Sequence, residues 1–121
     1  PLETILAEKT EIIVTLGRSN TRMKDFYDIH LILNDPNCPP LEEIYVAVKN
    51  TWSFRHNDQP FSQELFEDWF FTIDELISDQ SIKKSWKNYI ENRSYAQNLS
   101  IEHILQQFKN FVEELQTVFH Q

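Results

Sequence analysis

Glycine and cysteine are almost absent from this chain of 121 residues, since each occurs once, as Gly17 and Cys38. A single cysteine cannot form an intramolecular disulfide, which excludes a disulfide-bonded extracellular scaffold and favours a reducing cytoplasm. One glycine is also too few for the tight turns and bulges of a many-stranded sheet. We therefore expect a helical protein.

Long apolar runs and a signal pattern at the N-terminus are missing as well, so we expect a soluble, cytoplasmic protein without a membrane segment. Cations are scarce: 11 Lys and Arg stand against 19 Asp and Glu, for a net charge of −8. Such a balance repels phosphate backbones unless a local patch or a metal intervenes. The composition therefore argues against unaided nucleic-acid binding.

Apolar and aromatic residues are plentiful, with 40% hydrophobic residues that include nine Phe, four Tyr and three Trp. A chain of this length buries about two thirds of its unfolded surface, so these residues are sufficient for one core. We expect a single helical domain over residues 1–121. Because the chain begins with Pro1 instead of Met, we also expect it to be a piece of a longer protein.

Apolar residues recur at intervals of three and four along most of the chain, which predicts an all-α bundle of five or six helices. The predicted helices cover residues 2–16, 22–33 and 40–53, and then 65–77, 82–90 and 101–119. Gly17 is expected to end the first helix, and Thr21 and Ser100 to cap the second and the sixth. The short connection predicts that the first two helices form an antiparallel pair.

The aromatic run of the fourth helix, Phe66, Trp69, Phe70 and Phe71, is expected in the core, with a docking surface as the alternative. The four histidines lack the spacing of zinc ligands, and we predict no metal site. His30 is expected in the core or at an interface. Arg55 and His56 are adjacent, so they cannot share a helical face as a helical ribonuclease motif requires.

Lys9 falls at the centre of the apolar arc of the first helix, where an unpaired ammonium would cost several kcal/mol. Asp25 and Asp28 lie three residues apart near the start of the second helix, where its dipole favours carboxylates, and are the expected partners. Arg22 and Lys24 flank them. The pattern favours a structural bridge, and the alternative is a lysine that meets a phosphate beside an aspartate.

The segments Ala7-Glu8-Lys9 and Arg22-x-Lys24-Asp25-x-x-Asp28 resemble the last two motifs of the AbiEii/AbiGii nucleotidyltransferase toxins of abortive-infection toxin–antitoxin systems. The helix over residues 47–55, which ends in an aromatic residue and an arginine, is also similar to that family. Residues 1 to about 60 carry the specific resemblance, and residues 61–121 agree mainly in being helical.

The resemblance implies a polymerase-beta-like enzyme that uses Mg²⁺ and a nucleoside triphosphate to transfer a nucleotide, in some relatives onto tRNA acceptor ends. By motif position, Lys9 would be the catalytic lysine that meets the triphosphate, and Asp25 the catalytic acidic residue of the second half. Arg22, Lys24 and Asp28 would support substrate binding.

Members of that family carry a Gly-Gly or Gly-Ser turn and an Asp-x-Asp pair before these motifs, which supplies metal ligands, and this chain contains neither. We therefore expect the helical C-terminal part of a longer toxin, inactive alone, whose partner is a missing N-terminal nucleotidyltransferase half. An antitoxin, and tRNA for the full-length parent, are further expected partners. The alternative is a stand-alone helical interaction module with a structural Lys-Asp bridge and no catalysis.

Overall fold

Six α-helices and no strand make up the computed structural model, which describes residues 1–121. The helices are α1 (Leu2–Leu16), α2 (Met23–Leu33), α3 (Leu41–Arg55), α4 (Gln63–Ser78), α5 (Gln80–Ile90) and α6 (Ile101–Phe119). Short 3₁₀ turns follow α1 and α5, at Gly17–Ser19 and Ser94–Ala96. The expectation of an all-α bundle is confirmed, and no helix is both long and apolar enough to cross a bilayer.

Helix α1 packs against α2, as the short connection between them predicts, and still more extensively against α3. Helix α6 lies along the body of the bundle and contacts α2, α3, α4 and α5. Its seven buried apolar residues follow the helical period: Ile101, Ile104, Leu105, Phe108, Phe111, Val112 and Leu115. Each such side chain stabilises the fold by about 1.5–3 kcal/mol when fully buried, so α6 is the main apolar support of the bundle.

The buried face of α1 is rotated from the one that the sequence predicts. Ile5 and Leu16, which flank Lys9 on the apolar arc of the first helix, are exposed, whereas Ala7, Thr10 and Glu11 are buried. The reason is that α1 packs between α2 and α3, so its covered arc is wider than its apolar stripe and includes polar positions. Lys9 therefore lies at the edge of the buried arc rather than at its centre.

The caps of the helices are in part those expected. The Ser100 hydroxyl accepts a 3.0 Å hydrogen bond from the backbone N–H of His103, as predicted. The prediction for Thr21 is wrong, because Arg22 occupies the cap position of α2 and no side chain caps that helix. Asn20 serves the same turn instead: its Oδ1 accepts a 2.8 Å bond from the backbone N–H of Arg22.

Gly17 follows α1 at the expected position, and its N–H donates to the carbonyl of Ile13. Its φ of 52° is one that glycine adopts freely, although ψ of −130° differs from that of a left-handed helix cap. A Cβ at this position would lie 3.2 Å from Cγ2 of Thr72 on α4. Glycine is therefore needed here both for the backbone and for the approach of α4.

The aromatic run of α4 divides between the core and the surface. Phe66 and Trp69 are buried and Phe70 is half-buried, but Phe71 is 67% exposed, so the expectation of a core position is wrong for Phe71. Consecutive helical residues point about 100° apart, and three in a row cannot all face one core.

Candidate functional site

Lys9 of α1 lies between two carboxylates of α2. Its Nζ is 2.9 Å from Oδ1 of Asp25 and 3.3 Å from Oδ2 of Asp28. The Asp25 side chain is 1% exposed and the Lys9 side chain 17% exposed, so the bridge is mostly buried but open to solvent on the lysine side. The predicted contact between Lys9 and the aspartates is confirmed.

The local sequence explains this arrangement. Asp25 and Asp28 are three residues apart in the first two turns of α2, which places both carboxylates on one face and near the positive end of the helix dipole. Asn20, just before α2, donates a 3.3 Å hydrogen bond from Nδ2 to Oδ2 of Asp25. Sequence reasoning missed Asn20, although an Asn two residues before a helix cap is a signal for such a turn.

Two further cations border the bridge, as predicted. Nζ of Lys24 lies 2.8 Å from Oδ2 of Asp28, and Nη2 of Arg22 lies 4.0 Å from Oδ1 of Asp25. Both cationic side chains are exposed. The structure thus brings all five predicted residues together, and this Lys9 cluster holds three positive and two negative charges.

The charge of Lys9 is stabilised by its partners. Burial lowers the pKa of the ammonium, but hydrogen bonds and charge attraction from Asp25 and Asp28 outweigh that effect and raise the pKa above 10.5. Lys9 is therefore cationic at neutral pH, suited to binding an anion and unsuited to accepting a proton. An ammonium has three N–H donors, of which the two carboxylates engage at most two.

The residues of this chain do not fit a magnesium ion by themselves. No group of three or more His, Cys, Asp or Glu side chains is placed to hold a metal ion. Within the Lys9 cluster, both carboxylates are already bound to Lys9, and Asp28 also binds Lys24. A hard cation needs several oxygen ligands that are free to coordinate it, and this cluster does not supply them.

A second buried charge on α1 was not predicted from the sequence. Glu11 accepts hydrogen bonds from Nη1 of Arg55 at 2.7 Å, Nε2 of His56 at 2.8 Å and the hydroxyl of Thr15 at 2.8 Å. Burial raises the pKa of Glu11, but these hydrogen bonds and the Arg55 charge lower it below 4.5. This Glu11 cluster joins α1 to the end of α3, where the His56 ring stacks on Trp52 with centroids 3.6 Å apart.

No local signal could have identified the Glu11 cluster, because Glu11 and Arg55 are 44 residues apart. His30 behaves as expected: it is half-buried, and Nδ1 lies 3.2 Å from Oε1 of Gln107, which places it at the contact of α2 with α6.

Comparison with known proteins identifies one family. The model of the family described as nucleotidyl transferase AbiEii toxin, type IV toxin–antitoxin system, matches residues 1–114. No curated protein and no solved structure matches the chain. The matched range includes all five residues of the Lys9 cluster and also α4, α5 and most of α6, where the motifs alone carried no specific resemblance. The chain therefore belongs to the AbiEii nucleotidyl transferase toxin family of type IV toxin–antitoxin systems.

Proposed function

We propose that this chain is the C-terminal helical part of a nucleotidyltransferase toxin and that Lys9 contacts the triphosphate of a nucleoside triphosphate. In the parent protein, an N-terminal nucleotidyltransferase half supplies the metal ligands, Mg²⁺ assists the transfer, and tRNA is the acceptor. An antitoxin is the further partner that a toxin of this family implies.

The position of the Lys9 ammonium carries this proposal. It is held from two sides by Asp25 and Asp28, at 2.9 and 3.3 Å, yet it remains partly exposed and keeps a free N–H donor. A cation held in place before the substrate arrives stabilises phosphate charge without the cost of reorganising. The excess of one positive charge in the Lys9 cluster also favours an anion.

The other members of the cluster have distinct roles in this proposal. Asp25 is almost fully buried, so it orients Lys9 and keeps it charged. Asp28 binds both Lys9 and Lys24, and the exposed Lys24 and Arg22 add positive charge at the rim. Because the two aspartates are engaged, the metal ligands must come from the N-terminal half, and this chain alone transfers no nucleotide.

Thermal denaturation with and without Mg²⁺ and mixed nucleoside triphosphates tests the Lys9 site. A ligand that binds only the folded state raises the melting temperature, by the equivalent of about 2.7 kcal/mol at 100 times its Kd. Lys109→Ala is a matched control, because Lys109 pairs with Asp74 at the same 2.9 Å distance outside the cluster. We expect a nucleotide-dependent rise for the wild type and for Lys109→Ala, and none for Lys9→Ala, each relative to its own nucleotide-free value.

An equal rise in Lys9→Ala would contradict a phosphate contact by Lys9. If no variant responds to nucleotide, the Lys9 bridge has a structural role alone, and the chain is an interaction module without catalysis. Incubation of the isolated chain with Mg²⁺, labelled triphosphates and tRNA tests the second part of the proposal, and detectable transfer would contradict it.

A further inference from the structure

Positive charge is concentrated in one short segment of this acidic chain. Residues 80–97, which form α5 and the turn after it, contain four cations and one carboxylate, whereas the remaining 103 residues contain seven cations and 18 carboxylates. The four cations are Lys83, Lys84, Lys87 and Arg93. None of them takes part in an ion pair, in contrast to Lys9, Arg22, Lys24, Arg55 and Lys109.

Two of these unpaired cations line a recess. Lys84 and Lys87 are exposed and three residues apart, hence on one face of α5. Together with the polar side chains of Asn88 and Gln97 they border a cavity of 550 Å³, in which Glu91 is the single carboxylate. The recess therefore offers two free ammonium groups and two amides to an anionic ligand.

An exposed aromatic ring follows α5 near this recess and contacts α2, the helix that carries Asp25 and Asp28. Tyr95 is in the 3₁₀ turn after α5, two residues before Gln97, and is 63% exposed. Its ring centroid is 5.4 Å from that of Tyr27, which is adjacent in sequence to Asp28 on α2. Nearby, the Arg93 guanidinium lies 4.1 Å from the centre of the Tyr89 ring, which fixes its charge beside the turn.

We propose that Lys84, Lys87 and Tyr95, the α5 surface, bind a single-stranded RNA end. The lysines contact successive phosphates and the Tyr95 ring stacks with a base, the combination by which proteins hold single strands. Carboxylates dominate the rest of the chain and repel a polyanion, which confines the strand to this surface. The inference deepens the proposed function, because it assigns the place where an RNA acceptor lies beside the Lys9 cluster.

Fluorescence anisotropy with a labelled single-stranded RNA of about 12 nucleotides, titrated at several salt concentrations and with the variants compared at about 0.15 M, tests this surface. The variant Lys84→Glu/Lys87→Glu should weaken binding at least about tenfold. The slope of the logarithm of the binding constant against the logarithm of the salt concentration should become shallower by about 1.4, for two lost phosphate contacts. The matched control is Arg18→Glu/Lys49→Glu, which makes the same charge change at two exposed, unpaired cations elsewhere. It should weaken binding no more than about twofold, because long-range charge effects are screened.

Tyr95→Ala should weaken binding about fivefold through loss of stacking, and Tyr95→Phe should retain it. Absence of RNA binding by the wild type, or equal losses in the two charge-reversal variants, would overturn the proposal. The titration contains neither nucleotide nor Mg²⁺, so its outcome is independent of whether the Lys9 cluster binds a triphosphate. Far-UV circular dichroism of each variant confirms that these exposed substitutions leave the helices intact.

Discussion

Lys9 donates a 2.9 Å hydrogen bond to Asp25, a carboxylate that is 1% exposed and lies 16 residues later in the chain. Apart from Lys9, the contacts of this carboxylate are a 3.3 Å bond from Asn20 and Arg22 at 4.0 Å. The buried charge of Asp25 thus depends mainly on one cation from another helix.

Lys9→Ala should lower the free energy of unfolding by about 3–5 kcal/mol, because it leaves the buried Asp25 carboxylate without its main partner. Lys24→Ala removes the exposed partner of Asp28 and should cost no more than about 1 kcal/mol. Urea denaturation measures both. The double variant Lys9→Met/Asp25→Leu should recover most of the loss, since it removes both charges together. A loss under 1 kcal/mol for Lys9→Ala would mean that Asp25 does not depend on Lys9.

The bridge should also make stability fall at high pH. Because the folded-state pKa of Lys9 is raised, its contribution is fully present below the unfolded pKa of 10.5 and is lost as pH rises through the folded value. Unfolding free energies measured across pH 10.5 should therefore decline more steeply for the wild type than for Lys9→Met. Parallel curves for the two proteins would contradict this assignment. Burial raises the pKa of Tyr45 and of Tyr89, but both residues are present in the two proteins and their contributions cancel in the comparison.

The Glu11 cluster should make the stability of the fold decline at acidic pH. The folded-state pKa of Glu11 is lowered, so its contribution is present above 4.5 and is lost as pH falls through the folded value. Glu11→Gln should remove this acid-dependent component and cost about 1–3 kcal/mol at neutral pH by weakening the bonds to Arg55 and His56. Glu8→Gln, a change at an exposed glutamate of the same helix, is the control and should retain the wild-type acid dependence.

Gly17→Ala should cost about 1–2 kcal/mol, because an L side chain is strained at a φ of 52°. The added Cβ would also lie 3.2 Å from Thr72. Thermal unfolding is a sufficient measurement, with Asn57→Gly as comparison. Asn57 has a φ of 54°, which asparagine tolerates, so glycine there should change stability little. Equal effects at the two positions would argue against strain at Gly17.

The two ends of the aromatic run in α4 should respond differently to truncation. Phe66→Ala removes a fully buried ring and should cost about 3–5 kcal/mol. Phe71→Ala removes an exposed ring and should change the free energy of unfolding by no more than about 0.5 kcal/mol. Chemical denaturation of both variants checks the division. A large loss at Phe71 would show that its ring packs against the protein in solution.

The helices and the Lys9 cluster were predictable because their signals are local. Apolar spacing located all six helices, and the cluster followed from one lysine on an apolar arc and two aspartates three residues apart. The roles of these residues in chemistry rest on the resemblance and remain predictions.

The orientation of α1 and the Glu11 cluster were not predictable in the same way. Which arc of α1 is buried depends on how α2 and α3 both pack against it. Hydrophobicity alone would place Ile5 inside and Glu11 outside, the reverse of what the structure shows. The misplacement of Phe71 was avoidable, since the helical angle between neighbouring residues excludes three consecutive core positions.

Helix α1 carries opposite charges two residues apart that bind different neighbours, Lys9 to α2 and Glu11 to α3. A slide of α1 by one turn, about 5.4 Å, would separate both charges from their partners at once, and a rotation would do the same. Apolar stripes alone tolerate such shifts, because leucine and isoleucine pack in more than one register. The two ion pairs, one to each neighbouring helix, therefore select a single alignment of α1 relative to α2 and α3.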